Sequence, residues 1–403
     1  MAIPPLATPL ALKERLSATA GTLTRRQFTA LALGATARLM AGEPASPPAR
    51  TWHLGLNTYC LRFQRWNDRQ LFDYGAKQKV DALFLQDSLD AGVMDPTHWA
   101  RVRTWSKEMD LRLETGGGIL LPGSPEAFPQ AVSKLRKNIE RAAAMGSPLV
   151  RTLIATDRYH FPPGPVERHK ETAIKILQEV RSQAMDAGLK IALENHKDLF
   201  AWETREVIET AGKEFVGSYL DTGNPVFVAE DPMTTLEELG PYAVTFHLRD
   251  SVVYEVDGGV AVQWVPLGEG TPDFKAIVAR AAEIIPANVR IFCKPITARP
   301  PVVLPVFSEE FWTRWFPRGR SRDFSRFLAL AKRGRPYDRA QLLEDTNRGR
   351  DRPTGELKVQ QLEHMERIVS SNSCVSGTMW LIVLASRAAT RMLIRSLSLL
   401  GSV

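Results

Sequence analysis

Residues 192–196 read ALENH, residues 219–224 read YLDTGN and residues 246–250 read FHLRD. Each is a short β-rich run that closes on polar residues. Glu194 precedes Asp221 by 27 residues, and Asp221 precedes His247 by 26. That interval fits one parallel strand plus the helix that returns the chain to the next strand. Parallel strands end at the same edge, so a Glu, an Asp and a His are predicted to face one bowl.

The same rhythm extends in both directions. Strand candidates lie at 53–57, 82–86, 111–114, 149–153, 191–194, 217–221, 244–247 and 289–293. Helical segments at 68–78, 96–109, 127–145, 167–187, 203–213, 233–239 and 273–285 separate them. Eight βα repeats predict a closed (β/α)8 TIM barrel of the α/β class over residues 51–300. A doubly wound sheet is the competitor, but the first strand is not followed by GxGxxG and the chain has no P-loop. Gly116-Gly117-Gly118 lacks that spacing and reads as a turn after strand three.

The chain has 403 residues, 44% of them hydrophobic and 24% charged, which is globular composition. Cys60, Cys293 and Cys374 are too few and too scattered for a disulfide framework or a CxxC zinc site. The net charge of +7 divides unevenly: +4 over residues 1–50, −6 over 51–313 and +9 over 314–403. A nucleic-acid-binding core carries its positive charge where it grips phosphates. This acidic body predicts no nucleic-acid partner.

The basic flanks read separately. Thr24-Arg25-Arg26-Gln27-Phe28 followed by TALALGATA resembles a twin-arginine export signal, which implies a periplasmic location. A basic amphipathic helix or a transit peptide is the competing reading of this acid-poor stretch. Residues 1–50 are therefore assigned as signal and linker, the linker being GEPASPPAR. Residues 301–403 form a Pro-rich segment and a basic helical C-terminal extension, an arm suited to a homo-oligomer contact. Within it, Arg387, Arg391 and Arg395 recur every four residues through an apolar tail. The uninterrupted apolar run falls short of the ~20 residues of a membrane span, so no transmembrane segment is predicted.

Taken together, ALENH, YLDTGN, FHLRD and the later VPLGEGTPDF at 265–274 resemble the xylose isomerase-like barrels, a family of sugar isomerases and epimerases. The resemblance implies one divalent metal (Mn, Mg, Co or Zn) held by a Glu, an Asp, a His and a second Glu at the ends of strands five to eight. It further implies a small sugar or sugar derivative as substrate, polarised by the metal and deprotonated to an enediolate by the glutamates. Carried over, Glu194, Asp221 and His247 are the implied metal ligands, with Glu194 also the catalytic base.

The fourth position departs from the pattern. Strand eight ends in Cys293-Lys294, and Lys294 stands where the resemblance requires the second glutamate. A protonated lysine donates only and repels a metal ion. Three readings follow: a deprotonated, catalytic Lys294; a three-ligand metal site; or a barrel that binds without turnover. Asp250 and Glu269 are the nearest substitute carboxylates in the sequence.

Other residues expected around the bowl are His196, Asn224, Asp250, Arg151 and Glu114, all assigned to substrate binding. Each has a plainer role open to it: a solvated loop for His196, a turn for Asn224, pairing with Arg249 for Asp250. Arg151 reads equally as counter-charge to a buried carboxylate, and Trp264 as a sugar platform or a core aromatic. The expected function is a metal-dependent sugar isomerase or epimerase. The alternatives are a dehydratase or lyase of the same fold and a carbohydrate-binding barrel. A DNA-repair endonuclease with several zinc ions is excluded, because seven histidines, several of them off the strand ends, supply too few ligands.

Overall fold

The computed structural model describes residues 52–339, 341–344 and 353–370. Eight parallel strands close into a barrel in the order β1-β10-β7-β6-β5-β4-β3-β2. They are β1 (Leu54–Asn57), β2 (Ala82–Leu85), β3 (Arg112–Ile119), β4 (Leu149–Leu153), β5 (Lys190–Glu194), β6 (Val216–Asp221), β7 (Ala243–Leu248) and β10 (Ile291–Cys293). All eight predicted strands are present, in sequence order around the barrel apart from one insertion. The export signal and the Arg387–Arg391–Arg395 tail lie outside the described residues.

The helices are α1 (Asp68–Lys77), α2 (Pro96–Glu108), α3 (Phe128–Met145), α4 (Val166–Glu179), α5 (Arg181–Asp186), α6 (Ala201–Ala211), α7 (Pro232–Leu239), α8 (Phe274–Ile284), α9 (Ser321–Arg333) and α10 (Gly355–Ser370). The segment read as one helix over 167–187 divides at Val180 into α4 and α5. Caps fix several starts. Asn67 and Gln70 form a capping box on α1, and Asp273 accepts the Ala276 N–H on α8.

Strand alternation separates two cores. Outward residues such as Ile191, Leu193, Leu220, Phe246 and Ile291 pack beneath the helices. Inward residues Phe84, Ala192, Tyr219 and Phe292 fill the barrel. Gly55 on β1 makes room there, since a Cβ would lie 2.3 Å from the Phe292 ring. A second glycine position corrects the expected turn after strand three. β3 continues through Gly116-Gly117-Gly118 to Ile119, with a register shift between Gly116 and Ile119. At Gly116, with φ 154°, a Cβ would meet the Arg151 backbone at 2.1 Å, so this close strand approach requires glycine.

The insertion follows β7. β8 (Asp250–Val256) and β9 (Gly259–Val265) form an antiparallel hairpin through Asp257-Gly258, and β11 (Val302–Leu304) pairs with β9. The strands and helices predicted from the sequence include nothing over 250–265, although Asp-Gly between β-branched runs is a hairpin signal. This sheet and the C-terminal extension build a second apolar cluster of Val253, Val262, Trp264, Phe311, Phe316 and Phe327, among others. The extension returns to its own barrel: the Phe63 N–H donates to Gln361 on α10 at 3.1 Å, and Met365 is buried in the cluster that holds Cys60, Leu61 and Leu83. Among the described residues no helix is long and apolar enough to cross a membrane.

Candidate functional site at the strand ends

The inward positions at the C-terminal edge are Glu194 on β5, Asp221 on β6 and Lys294 just beyond β10. All three are at least 98% buried. Lys294 Nζ lies 3.0 Å from Glu194 Oε1 and 3.3 Å from Asp221 Oδ2. Two guanidiniums complete the cluster. Arg151, on β4, reaches Glu194 Oε2 through Nε at 2.5 Å and also through Nη2. Arg249, between β7 and β8, places Nη2 2.8 Å from Asp221 Oδ2. Three cations thus face two carboxylates.

Neutral groups hold the carboxylates in place. Asn224 Nδ2 donates to Glu194 Oε1 at 3.2 Å, while its Oδ1 accepts from Arg249 Nη1 at 2.9 Å. The backbone N–H groups of Gly223 and Asn224 donate to Asp221 Oδ1. Arg249 runs between Gly223 and the face of Trp264, with its guanidinium carbon 4.5 Å from the ring centroid. A Cβ on Gly223 would lie 2.5 Å from Arg249 Cδ, so glycine is needed for this passage. The Trp264 indole N–H donates to the Gly223 carbonyl at 2.8 Å. Trp264 therefore covers Arg249 and is not an open sugar platform.

Burial and charge set the protonation states. Burial alone raises the Glu194 carboxyl, but Arg151 and then Lys294 outweigh it and hold the group well below the ordinary glutamate value. Burial, with Arg249, lowers Lys294 against the opposing pull of Glu194 and Asp221. His247 is driven well below its ordinary value by burial and by Lys294, so its imidazole is neutral.

His247 is on β7, as predicted, but its ring lies within the barrel packing. It stacks between Tyr219, at 3.8 Å and 10°, and Phe292, at 4.7 Å and 8°. Nε2 is 2.9 Å from Thr245 Oγ1, and Nδ1 is 3.4 Å from Asn57 Nδ2. Asp250, three residues on, is not among the partners of His247. Asp250 instead accepts N–H bonds from Ser251, Gly268 and Gly270 and anchors the loop after β9; burial pushes its carboxyl up to about 7. Arg249, expected as a partner of Asp250, belongs to Asp221.

Arg151 and Asn224 join the cluster, as polar partners of Glu194. His196 is half-buried at its rim, with Nδ1 2.5 Å from the Thr156 carbonyl oxygen; burial drives its ring down to about 3. Glu269, a candidate substitute ligand, pairs with Arg339 at 2.9 Å and with the Tyr337 hydroxyl of the extension. Glu114 is misplaced by the sequence reading. It is the third of the eight residues of β3, beside Arg290 (3.7 Å), and lines a cavity of about 1230 Å³ formed by the N-terminal ends of the strands. Burial pushes its carboxyl up to about 7.

The donor set in this arrangement does not fit a divalent ion. An ion on Glu194 Oε1 and Asp221 Oδ2 would compete for the oxygens that Lys294 bridges, and both His247 nitrogens already face Thr245 and Asn57. A divalent charge about 4 Å from one ammonium is opposed by about 8 kcal/mol at the effective dielectric of protein sites. Elsewhere, among the described residues, Asp68, Asp90 and His98 form a group whose ligand atoms lie within 4.8 Å of one another. There His98 Nε2 is 2.9 Å from Asp68 and 4.0 Å from Asp90.

Sequence signals for the missed residues were slight. Arg249 follows His247 by two, the spacing of one strand face. Asn57 and Thr245 carry no motif, and Asn195 sits within ALENH without a role that the spacing assigns. Yet Asn195 exchanges two hydrogen bonds with the Asp221 backbone, 2.8 and 2.9 Å long.

The barrel and its strand-end acids define a class. A xylose isomerase-like TIM barrel model matches residues 79–296, more than half of the chain, and the chain belongs to that family. The fold is similar to a xylose isomerase domain protein from Planctomyces limnophilus, at 16% identity and TM-score 0.50, over 65% of this chain and 94% of that one. A xylose isomerase-like TIM barrel protein from Mycobacterium smegmatis, in complex with magnesium, matches at 17% identity and TM-score 0.50, over 65% and 95%. A D-psicose 3-epimerase, in the presence of D-fructose, matches at 15% identity and TM-score 0.50, over 69% and 97%. In sequence, the uncharacterised protein YihM of Escherichia coli K12 is 26% identical over 99 residues, spanning 25% of this chain and 30% of YihM.

Proposed function

We propose that the chain is an isomerase or epimerase that acts on a small polyhydroxylated carbonyl compound, a sugar or sugar derivative, through an enediolate. The observation that carries this reading is the contact between Glu194 and Lys294. A buried carboxylate and a buried ammonium, 3.0 Å apart at the active edge of the barrel, form an adjacent base and acid. Lys294 donates to the carbonyl oxygen of the substrate, and Arg249 to a neighbouring hydroxyl. Glu194 removes the proton from the carbon beside the carbonyl, and negative charge then develops on the oxygen facing Lys294. Glu194 is a weak base while both cations hold it. A substrate oxygen that takes over the Lys294 hydrogen bond leaves Glu194 with one cation, Arg151, beside the neutral Asn224 amide, and raises its basicity. The similarity in fold to an epimerase supports the reaction class.

Two other forms of the reading differ at this cluster. A metal-dependent form, with one Mn²⁺, Mg²⁺, Co²⁺ or Zn²⁺ on Glu194, Asp221 and His247, requires Lys294 and the His247 ring to turn. A binding barrel without turnover is favoured by the low basicity of Glu194. Deuterium exchange separates the three: the protein is incubated in D₂O with ketopentoses and ketohexoses, in EDTA and then in Mn²⁺, and followed by proton NMR. Exchange beside the carbonyl in EDTA, lost in Glu194→Gln, is the expected result. Exchange in Mn²⁺ alone would establish the metal-dependent form, and sugar binding without exchange the binding barrel. Export by the twin-arginine route is a further part of the proposal, tested by whether Arg25→Lys/Arg26→Lys retains the protein in the cytoplasm.

A further inference from the structure

We infer that Lys294 supplies the cation of this site from the chain itself, so that the strand-end cluster is built to exclude a divalent ion, and that residue 294 is the main determinant of this choice. The inference rests on the reading above for the location of the substrate, but not for the behaviour towards metal. Glu194 and Asp221 each turn one oxygen, Oε1 and Oδ2, towards Nζ of Lys294. Asp221 Oδ2 is buried and receives no well-aligned hydrogen bond, only the two ion-pair contacts from Lys294 and Arg249. An ammonium between two carboxylate oxygens satisfies them electrostatically at close range, as a metal ion would, but it cannot be displaced by chelation. The remaining cations are fixed independently of Lys294. Arg151 is held on the far oxygen of Glu194, and Arg249 is confined between Trp264 and Gly223. Exchanging Lys294 for a carboxylate therefore turns three oxygens towards one point and leaves both guanidiniums in place.

The test is a Mn²⁺ titration of the full chain after EDTA treatment, followed by the electron paramagnetic resonance signal of free Mn²⁺. All proteins carry Asp68→Asn, so that the Asp68–Asp90–His98 group contributes nothing. Without further change, no equivalent of Mn²⁺ dependent on Asp221 is expected to bind. With Lys294→Glu, about one equivalent should bind, at least about tenfold above any residual affinity of the Lys294 protein, and Asp221→Asn should abolish it. Lys294→Gln, which removes the charge with less change of chemistry, should fall between them if Lys294→Glu does not fold. Stoichiometric binding with Lys294 present that Asp221→Asn removes would overturn the inference. So would folded Lys294→Glu and Lys294→Gln proteins, judged by circular dichroism, that bind no better. Failure of deuterium exchange alongside the expected titrations would remove the proposed reaction and leave this inference standing.

Discussion

Replacing Glu194 with Gln keeps the side-chain shape and withdraws one of the two carboxylates that face Arg151, Lys294 and Arg249. Lys294 retains Asp221 at 3.3 Å and Arg249 retains it at 2.8 Å, but Arg151 loses its carboxylate. Breaking a fully buried ion pair by removing one member costs about 3–5 kcal/mol. Because Lys294 is shared, the expectation at neutral pH is near the lower end, about 3 kcal/mol. The pH dependence is as specific as the size. The folded-state pKa of Glu194 is held below its unfolded value, so its contribution is fully present above the ordinary glutamate range. It is lost as pH falls through that range towards the folded value. The gap between wild type and Glu194→Gln should therefore be widest near neutrality and close progressively below about pH 4.5. Urea unfolding followed by tryptophan fluorescence, at a series of pH values, measures both. A gap below about 1 kcal/mol near neutrality, or one that persists undiminished to about pH 3, would refute the charge arrangement described here.

Glu114→Gln should have the opposite pH profile. Its carboxyl, raised by burial to about 7, makes the native state lose stability as pH rises from the unfolded value to about 7, so the variant should gain about 2–3 kcal/mol on wild type between about pH 5 and pH 8 in the same assay. Gly223→Ala should cost about 1–3 kcal/mol and depress any exchange activity, because its Cβ would displace Arg249 from Asp221; an unchanged melting temperature would contradict the packing. Arg158→Met should destabilise by about 3–5 kcal/mol, since Arg158 meets both oxygens of buried Glu203 at 3.0 and 3.2 Å and also holds the Trp315 carbonyl of the extension. A change under about 1 kcal/mol in urea unfolding would show that the pair is dispensable.

The barrel was legible because two periodicities reinforce each other. Alternation within each strand decides which side chains enter the barrel, and the βα interval brings successive strand ends to one edge. Those rules are local, and they placed Glu194, Asp221 and Lys294 together from 100 residues apart. Glu114 escaped them because β3 runs five residues beyond it to Ile119, through glycines that read as a turn. At about 3.3 Å per residue that leaves Glu114 roughly 16 Å below the strand end. The hairpin of β8 and β9 is legible in Asp257-Gly258 between two β-branched runs.

What the sequence determined by itself was therefore the barrel and the strand-end edge at which Glu194, Asp221 and Lys294 meet. Which charges meet was decided only in three dimensions. The pairing of Arg151 with Glu194, of Arg249 with Asp221, and the stacking of His247 between Tyr219 and Phe292 depend on register between separate strands and on side-chain rotamers inside a packed barrel. A buried carboxylate must find a partner, but one-dimensional spacing does not say which of several nearby cations will reach it.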